Sequence, residues 1–281
     1  MEYINNIKLF CENGGGYLDP DTYSNNNSFL SAAIAVGSSI DLVKAVINNE
    51  IKNGFALVRP PGHHALSNRS MGFCLFGNIA ISAKSALKHP GINKVAIVDF
   101  DVHHGNGTQA LIGEEPNIHF ISTHQYPYYP GTGSIRETGS GEAEGTIVNI
   151  PLQSGTGDEG FKLVYDEIII PSLEKFNPDL ILVSAGYDAH WDDPLASLNL
   201  SLTGFDWISR KLVKTADQIC FSKIIFFLEG GYNLDVLKYG VANSIRALLR
   251  DNTFEDPIGP SQSNEPDITS LISELRKIHK P

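Results

Sequence analysis

The chain has 281 residues, 42% of them apolar, which suits one large α/β domain or two small ones. With 32 acidic against 21 basic residues the formal charge is −11, which disfavours direct nucleic-acid binding through phosphates and mildly favours cationic partners. Cys11, Cys74 and Cys220 form neither a disulfide framework nor a zinc knuckle, no run reads as long enough to span a bilayer, and MEYINNIKLFCENGG lacks signal-peptide order, so a reduced, cytoplasmic protein without a membrane partner is expected.

In chain order, SFLSAAIAVGSSIDLVKAVINN (28–49) has helical spacing and ends before Gly54. FALVR (55–59) reads as a strand, and GNIAISAKSALKH (77–89) as a helix stopped by Pro90-Gly91. KVAIVDFD (94–101), IHFIST (118–123) and TIVNIPL (146–152) follow as strands, with a long Gly/Pro-rich loop at 125–145. A helix over 158–176 leads to the strand DLILVSA (179–185), a helix over 203–220 to KIIFFLE (223–229), and a last long helix runs over 236–250. Most of the strands are continuously apolar, as in parallel sheets buried on both faces. The alternation predicts an α/β fold with a single mostly parallel sheet and helices on both faces. Residues 1–250 are expected to form the domain, with 251–265 a linker and 266–279 a short terminal helix, this 251–281 segment packed on the same domain.

Ligands bind beyond the carboxyl ends of strands in such sheets, so the residues found there are informative. His63 and His64 follow the first strand, and Asp99, Asp101, His103 and His104 the second. Thr123 and His124 follow the third, Asp188 and His190 the fifth, and Glu229 and Tyr232 the last. Five strand ends thus send ionisable or aromatic groups to one edge.

Asp101 and His103, two apart on an extended segment, would point the same way. A third oxygen from Asp188 gives three ligands and an open position, the pattern of a catalytic rather than a structural zinc site. Alternatively Asp101 caps a helix and His103 is a buried histidine. The pair His63-His64, set by Pro-Pro-Gly, has the pKa range for a base and an acid. Asp99 could orient one imidazole, with His104 and Asn106 structural or supporting. Tyr232, after two glycines, either donates to a developing oxyanion or packs as a core tyrosine. Phe73 and the pair Tyr128-Tyr129 could wall a narrow channel or simply pack loops. His124 and His190 have no spacing partners and stay unassigned; His89, His119 and His279 read as ordinary.

RPPGHHA, GFCLFGNIA, VDFDVHHGNG, STHQYPYYPGTG, SAGYDAHWDDPLA and LEGGYNL occur in this order over roughly residues 10–250. In them the chain resembles the histone deacetylase superfamily, specifically its class II-like and bacterial amidohydrolase branch. The resemblance implies the arginase-like α/β fold and a zinc-dependent amidohydrolase acting on an acetylated lysine peptide or a small acetylated amine. It assigns zinc to Asp101, His103 and Asp188, proton transfer to His64, an electrostatic partner role to His63 bonded to Asp99, and oxyanion stabilisation to Tyr232. Phe73 and Tyr129 would flank the acyl-lysine tunnel, with Gly72 lining it and Leu195 at its rim. A structural cation, usually potassium, is implied near Asp99, Asp101, His103, Ser122 and Thr123.

Three departures qualify the match. Asn106 stands where class I members carry an aspartate, and Leu195 stands where polyamine-selective members carry an acid. The family domain also begins upstream of the first matching residues, so an N-terminally short version is expected. Rival functions are a di-manganese ureohydrolase, which needs more carboxylates, and a catalytically silent acetyl-lysine binder. An oligomer is compatible with the sequence.

Overall fold

The computed structural model describes residues 2–281. It opens with α1 (Glu2–Glu12) and a small antiparallel hairpin of β1 (Gly16–Tyr17) and β2 (Tyr23–Ser24), followed by α2 (Ser28–Ile47), β3 (Gly54–Ala56) and α3 (Asn78–Ala86). Next come β4 (Val95–Asp99), α4 (Asn106–Ile112), β5 (Ile118–Gln125) and β6 (Ile147–Leu152). α5 (Asp158–Val164) passes through a π-helical turn at Tyr165–Ile169 into α6 (Ile170–Phe176). The chain closes with β7 (Leu180–Ala185), α7 (Leu202–Ile219), β8 (Ile224–Leu228), α8 (Leu234–Leu249) and α9 (Thr269–His279).

All six expected strands form one parallel sheet in the order β3-β8-β7-β4-β5-β6. The pleat sends alternate residues to opposite layers. Ala96, Val98, Ile181, Val183 and Phe226 pack with Phe161, Phe205 and Leu212 on one face. Val95, Ile97, Leu180, Leu182 and Phe227 pack with Ile79, Ala83 and Val43 on the other. Every residue of β4, β5 and β7 is buried, which explains the near-continuous apolar sequences of β4 and β7, while β5 turns polar after Ile121 as it nears the site.

Two sequence expectations are corrected here. α2 is 20 residues long and carries few charged residues, so by length and composition one helix does meet the requirement for crossing a membrane. In this fold it lies along α3 and buries a stripe through Ala32, Ala35, Ser39, Val43 and Val46. α1, the hairpin and α4 were not expected. α1 places Tyr3, Ile7 and Cys11 at helical spacing in a small cluster with Ala32 and Leu75, a pattern the sequence reading passed over, and α4 has only seven residues.

Residues 251–265 lie against the helices on one side of the sheet. The Arg210 guanidinium donates to the carbonyls of Asp251 and Thr253 at 2.6 and 2.9 Å. The Glu265 carboxylate accepts from the N–H groups of Gly157, Glu159 and Gly160 at 2.9–3.0 Å, capping the start of α5. Ile272 and Leu275 of α9 join the core.

Candidate metal and acyl-binding site

β4 ends at Asp99, and the next four residues form two successive turns in which carboxylates accept backbone N–H groups. Asp99 Oδ1 accepts from Asp101 at 3.1 Å, and Asp101 Oδ1 from His103 at 2.9 Å. Asp101 and His103 therefore meet through side-chain-to-backbone turns, not through the pleat of an extended strand as the sequence suggested. The Val102 N–H lies between them and donates to Asp188 Oδ1 at 2.9 Å, drawing in the loop after β7. His103 Nδ1 then sits 3.2 Å from Asp101 Oδ1 and 3.3 Å from Asp188 Oδ2. One donor atom from each of the three lies within 4.8 Å of the others, and all three residues are buried.

The surroundings of this triad fit a divalent cation. Asp188 Oδ2 is buried without a hydrogen-bond partner, a costly arrangement unless a charge answers it. A Cβ on Gly186 would overlap the Asp101 carboxylate, and one on Gly230 would overlap both carboxylates, so two glycines keep the space open. Burial works against charge on both aspartates. His63 and His103 nevertheless hold Asp101 well below the usual carboxylate range, whereas Asp188, next to Asp101, is pushed up. Burial also opposes charge on His103, but the two carboxylates raise its pKa well above normal. A proton on that imidazole occupies the electrostatic place of a cation. Two carboxylates and a neutral imidazole suit zinc.

The loop carrying His63 and His64 crosses the end of β8. Glu229 Oε2 accepts from Gly62 N–H at 2.7 Å and from His63 N–H at 3.2 Å. His63 Nδ1 meets Asp99 Oδ2 at 3.1 Å, and His64 Nδ1 donates to the Asn106 carboxamide oxygen at 2.7 Å. The two rings lie 4.0 Å apart. Burial disfavours a charged His63, yet Asp101, Asp99 and Glu229 together raise its pKa to about 10. His64 goes the other way, lowered well below normal by burial and then by the charge on His63. The two adjacent histidines are thus shifted in opposite directions, His63 toward its charged form and His64 toward its neutral one.

A cavity of about 260 Å³ opens over these groups, and Gly72, Phe73, Tyr129, Leu195, His64, His103 and Tyr232 all line it. Tyr128 stacks on the His103 ring at 5.9 Å, and its hydroxyl donates to the Leu195 carbonyl at 2.6 Å. Phe73 meets the Tyr232 ring edge-on at 6.0 Å. Phe73 holds φ +64°, and its N–H donates to Thr22 Oγ1 at 3.1 Å. At Gly72, also at positive φ, a Cβ would collide with the His64 ring. Asp193 Oδ2 accepts from Tyr232 N–H at 2.8 Å and Oδ1 from Leu195 N–H at 2.9 Å. A larger hollow of about 620 Å³ lies elsewhere, between Lys84, Gln109, Glu114 and Ser140, and holds no comparable donor set.

The structure therefore brings together every residue the sequence singled out for metal, proton transfer and acyl binding. Asp99, Ser122 and Thr123 adjoin as strand ends, with Thr123 Oγ1 donating to the Asp99 carbonyl at 3.3 Å. His104 turns away to Thr132 and Gln109, and His124 bonds the Gly133 carbonyl at 2.8 Å, so both hold the aromatic loop rather than the triad. Asp21 at the rim, Asp193, and the grip of Glu229 on the histidine loop were missed. The DPDT turn at 19–22 is the one local signal that could have flagged Asp21.

Comparison with known proteins gives the same picture. Residues 1–248 match the model of the histone deacetylase domain. Histone deacetylase 14, chloroplastic, of Arabidopsis thaliana is 43% identical over 280 residues, covering 96% of this chain and 65% of that protein. A probable deacetylase of Archaeoglobus fulgidus is 44% identical over 234 residues, 83% of this chain and 65% of its own length. The chain thus spans slightly less than two thirds of these curated relatives. The crystal structure of the HDA15 HD domain superposes with a TM-score of 0.89 at 35% identity, covering 99% of this chain and 75% of that one.

Proposed function

The chain belongs to the histone deacetylase domain family, and on that footing we propose that it is a zinc-dependent amidohydrolase that releases acetate from acetyl-lysine-type substrates, either protein lysines or small acetylated amines. The observation that carries this function is the convergence of Asp101, His103 and Asp188 beside a neutral His64 at the foot of an aromatic cavity. The three ligands would hold one divalent ion. When bound, that ion supplies Lewis-acid polarisation of a carbonyl and acidifies water at its open position.

The chain's own groups account for the remaining steps. Phe73 and Tyr129 confine the acylated side chain, and Gly72 leaves room beside His64. With Nδ1–H committed to Asn106, His64 presents the lone pair of its other ring nitrogen and takes a proton from the attacking water. Cationic His63, fixed by Asp99, stabilises negative charge developing nearby. The Tyr232 phenol, kept protonated by burial and the nearby carboxylates, donates to the carbonyl oxygen as it becomes an oxyanion. His64 then returns its proton to the amine nitrogen as the C–N bond breaks, leaving acetate and a free amine. A structural potassium near Asp99, Asp101, His103, Ser122 and Thr123 belongs to the same proposal.

One donor cluster among the described residues supports a mononuclear centre over a di-manganese ureohydrolase. Turnover of a fluorogenic acetyl-lysine peptide by the zinc-loaded chain, blocked by a hydroxamate, tests the assignment. Binding of that peptide without turnover would instead favour a silent binder.

A further inference from the structure

We infer that Glu229 is a positioning residue that holds the His63–His64 loop in register with the Tyr232 segment. The consequence for rate rests on the deacetylase function proposed above; the anchor itself does not. Glu229 lies one residue past β8 and three before Tyr232, and is 4% exposed. Its Oε2 accepts two consecutive backbone N–H groups, Gly62 at 2.7 Å and His63 at 3.2 Å, and its Oε1 accepts from Ser184 Oγ at 3.1 Å.

Neither of those N–H groups has a backbone acceptor. Both are buried, so without Glu229 two donors would be stranded directly under the histidine pair. On its other side the loop is hemmed in by backbone, since a Cβ on Gly62 would meet Asn78 N and the Phe76 carbonyl. The loop is therefore wedged from one side and gripped from the other by one carboxylate. Because that carboxylate belongs to the segment bearing Tyr232, the spacing between proton carrier and oxyanion donor passes through Glu229. The cavity walls are held by other partners, Phe73 by Thr22 Oγ1 and Tyr129 by its edge-on packing with His64.

A shift of about 1 Å in a reacting group costs on the order of 100-fold in rate. Glu229→Ala in the zinc-loaded chain is accordingly expected to lower kcat by about 100-fold while KM for a fluorogenic acetyl-lysine peptide stays within about threefold. Zinc content should remain one per chain. Glu229→Gln keeps an acceptor for both N–H groups and can donate to Ser184, and Asp99 and Asp101 remain beside His63, so its kcat should recover to within about tenfold of the parent. The Gly62 and His63 amides should exchange with solvent freely in the Ala variant and slowly in the Gln variant. Parental kcat in the Ala variant, or a Gln variant as slow as the Ala variant, overturns the inference. If the Ala variant does not fold, the Gln variant decides, and parental kcat with both amides unprotected would break the link between anchor and rate. A parent chain that hydrolyses no acetylated amine defeats the proposed function instead, while the amide-exchange comparison still tests the anchor.

Discussion

The Asn106 carboxamide oxygen accepts a 2.7 Å hydrogen bond from His64 Nδ1, which leaves the opposite ring nitrogen as a base. Replacing Asn106 by Asp puts a negative charge on that bond and raises the His64 pKa. Activity needs neutral His64 and is lost as pH falls through that pKa, so a raised value moves the acid limb of kcat/KM to higher pH. We expect Asn106→Asp to shift that limb up by about one unit or more. A pH–rate profile with the limb unmoved would contradict the assignment of His64 as the base.

Gly230 tests the metal site without replacing a ligand. A Cβ there would press into the carboxylates of Asp188 and Asp101, and Gly230 N–H donates to Asp101 Oδ2 at 2.9 Å. Gly230→Ala is expected to fold but to lose most bound zinc and, with it, turnover. Metal analysis beside circular dichroism checks this; full zinc content in the variant would argue against the triad as the binding site.

Tyr232 and its anchor separate chemistry from binding. Loss of one oxyanion donor typically costs about 100–1,000-fold, so Tyr232→Phe should lower kcat by that order with KM little changed. Asp193→Ala removes the acceptor for Tyr232 N–H and Leu195 N–H together. A smaller fall in kcat, about tenfold, accompanied by a higher KM is expected there, because the rim moves with the phenol. Steady-state kinetics on the acetyl-lysine peptide distinguish the two patterns.

Buried neutral histidines weaken the fold in acid. Burial lowers the pKa of His119 from 6.5 to about 4, and burial with His104 nearby lowers that of His124 to about 3. Below pH 6.5 these histidines bind protons in the unfolded chain and refuse them in the folded one, so their contribution to stability falls as the pH drops from 6.5 toward 4. Each such histidine contributes about 1.4 kcal/mol per pH unit within that window. His119→Gln should therefore lose about 2 kcal/mol less than the parent between pH 6.5 and 5, read from urea unfolding at both values. Equal losses would mean that His119 charges freely in the folded protein.

What could be read from the sequence follows from where the information lies along the chain. Strands such as VAIVD are buried on both faces, so their apolar runs mark them, and the polar residues after them mark the active edge of the sheet. Asp101, His103 and Asp188 were legible because each directly follows a strand. How Asp101 and His103 meet was not, because turns closed by carboxylates break the pleat after Asp99. Glu229 grips Gly62 from 167 positions away, and Asp193 reaches Tyr232 across 39, so neither contact leaves a local pattern. The β1–β2 hairpin was invisible for another reason, since strands of two residues show no alternation, whereas α1 carries Tyr3, Ile7 and Cys11 at helical spacing and was legible but not read.

The most direct test is a zinc titration of the full chain and of Asp188→Ala, with bound metal counted per molecule. The account predicts one tightly held zinc in the parent, deacetylation of the acetyl-lysine peptide that rises in proportion to its occupancy, and neither in the variant. Two manganese ions per chain, or zinc that binds equally well without Asp188, would contradict it.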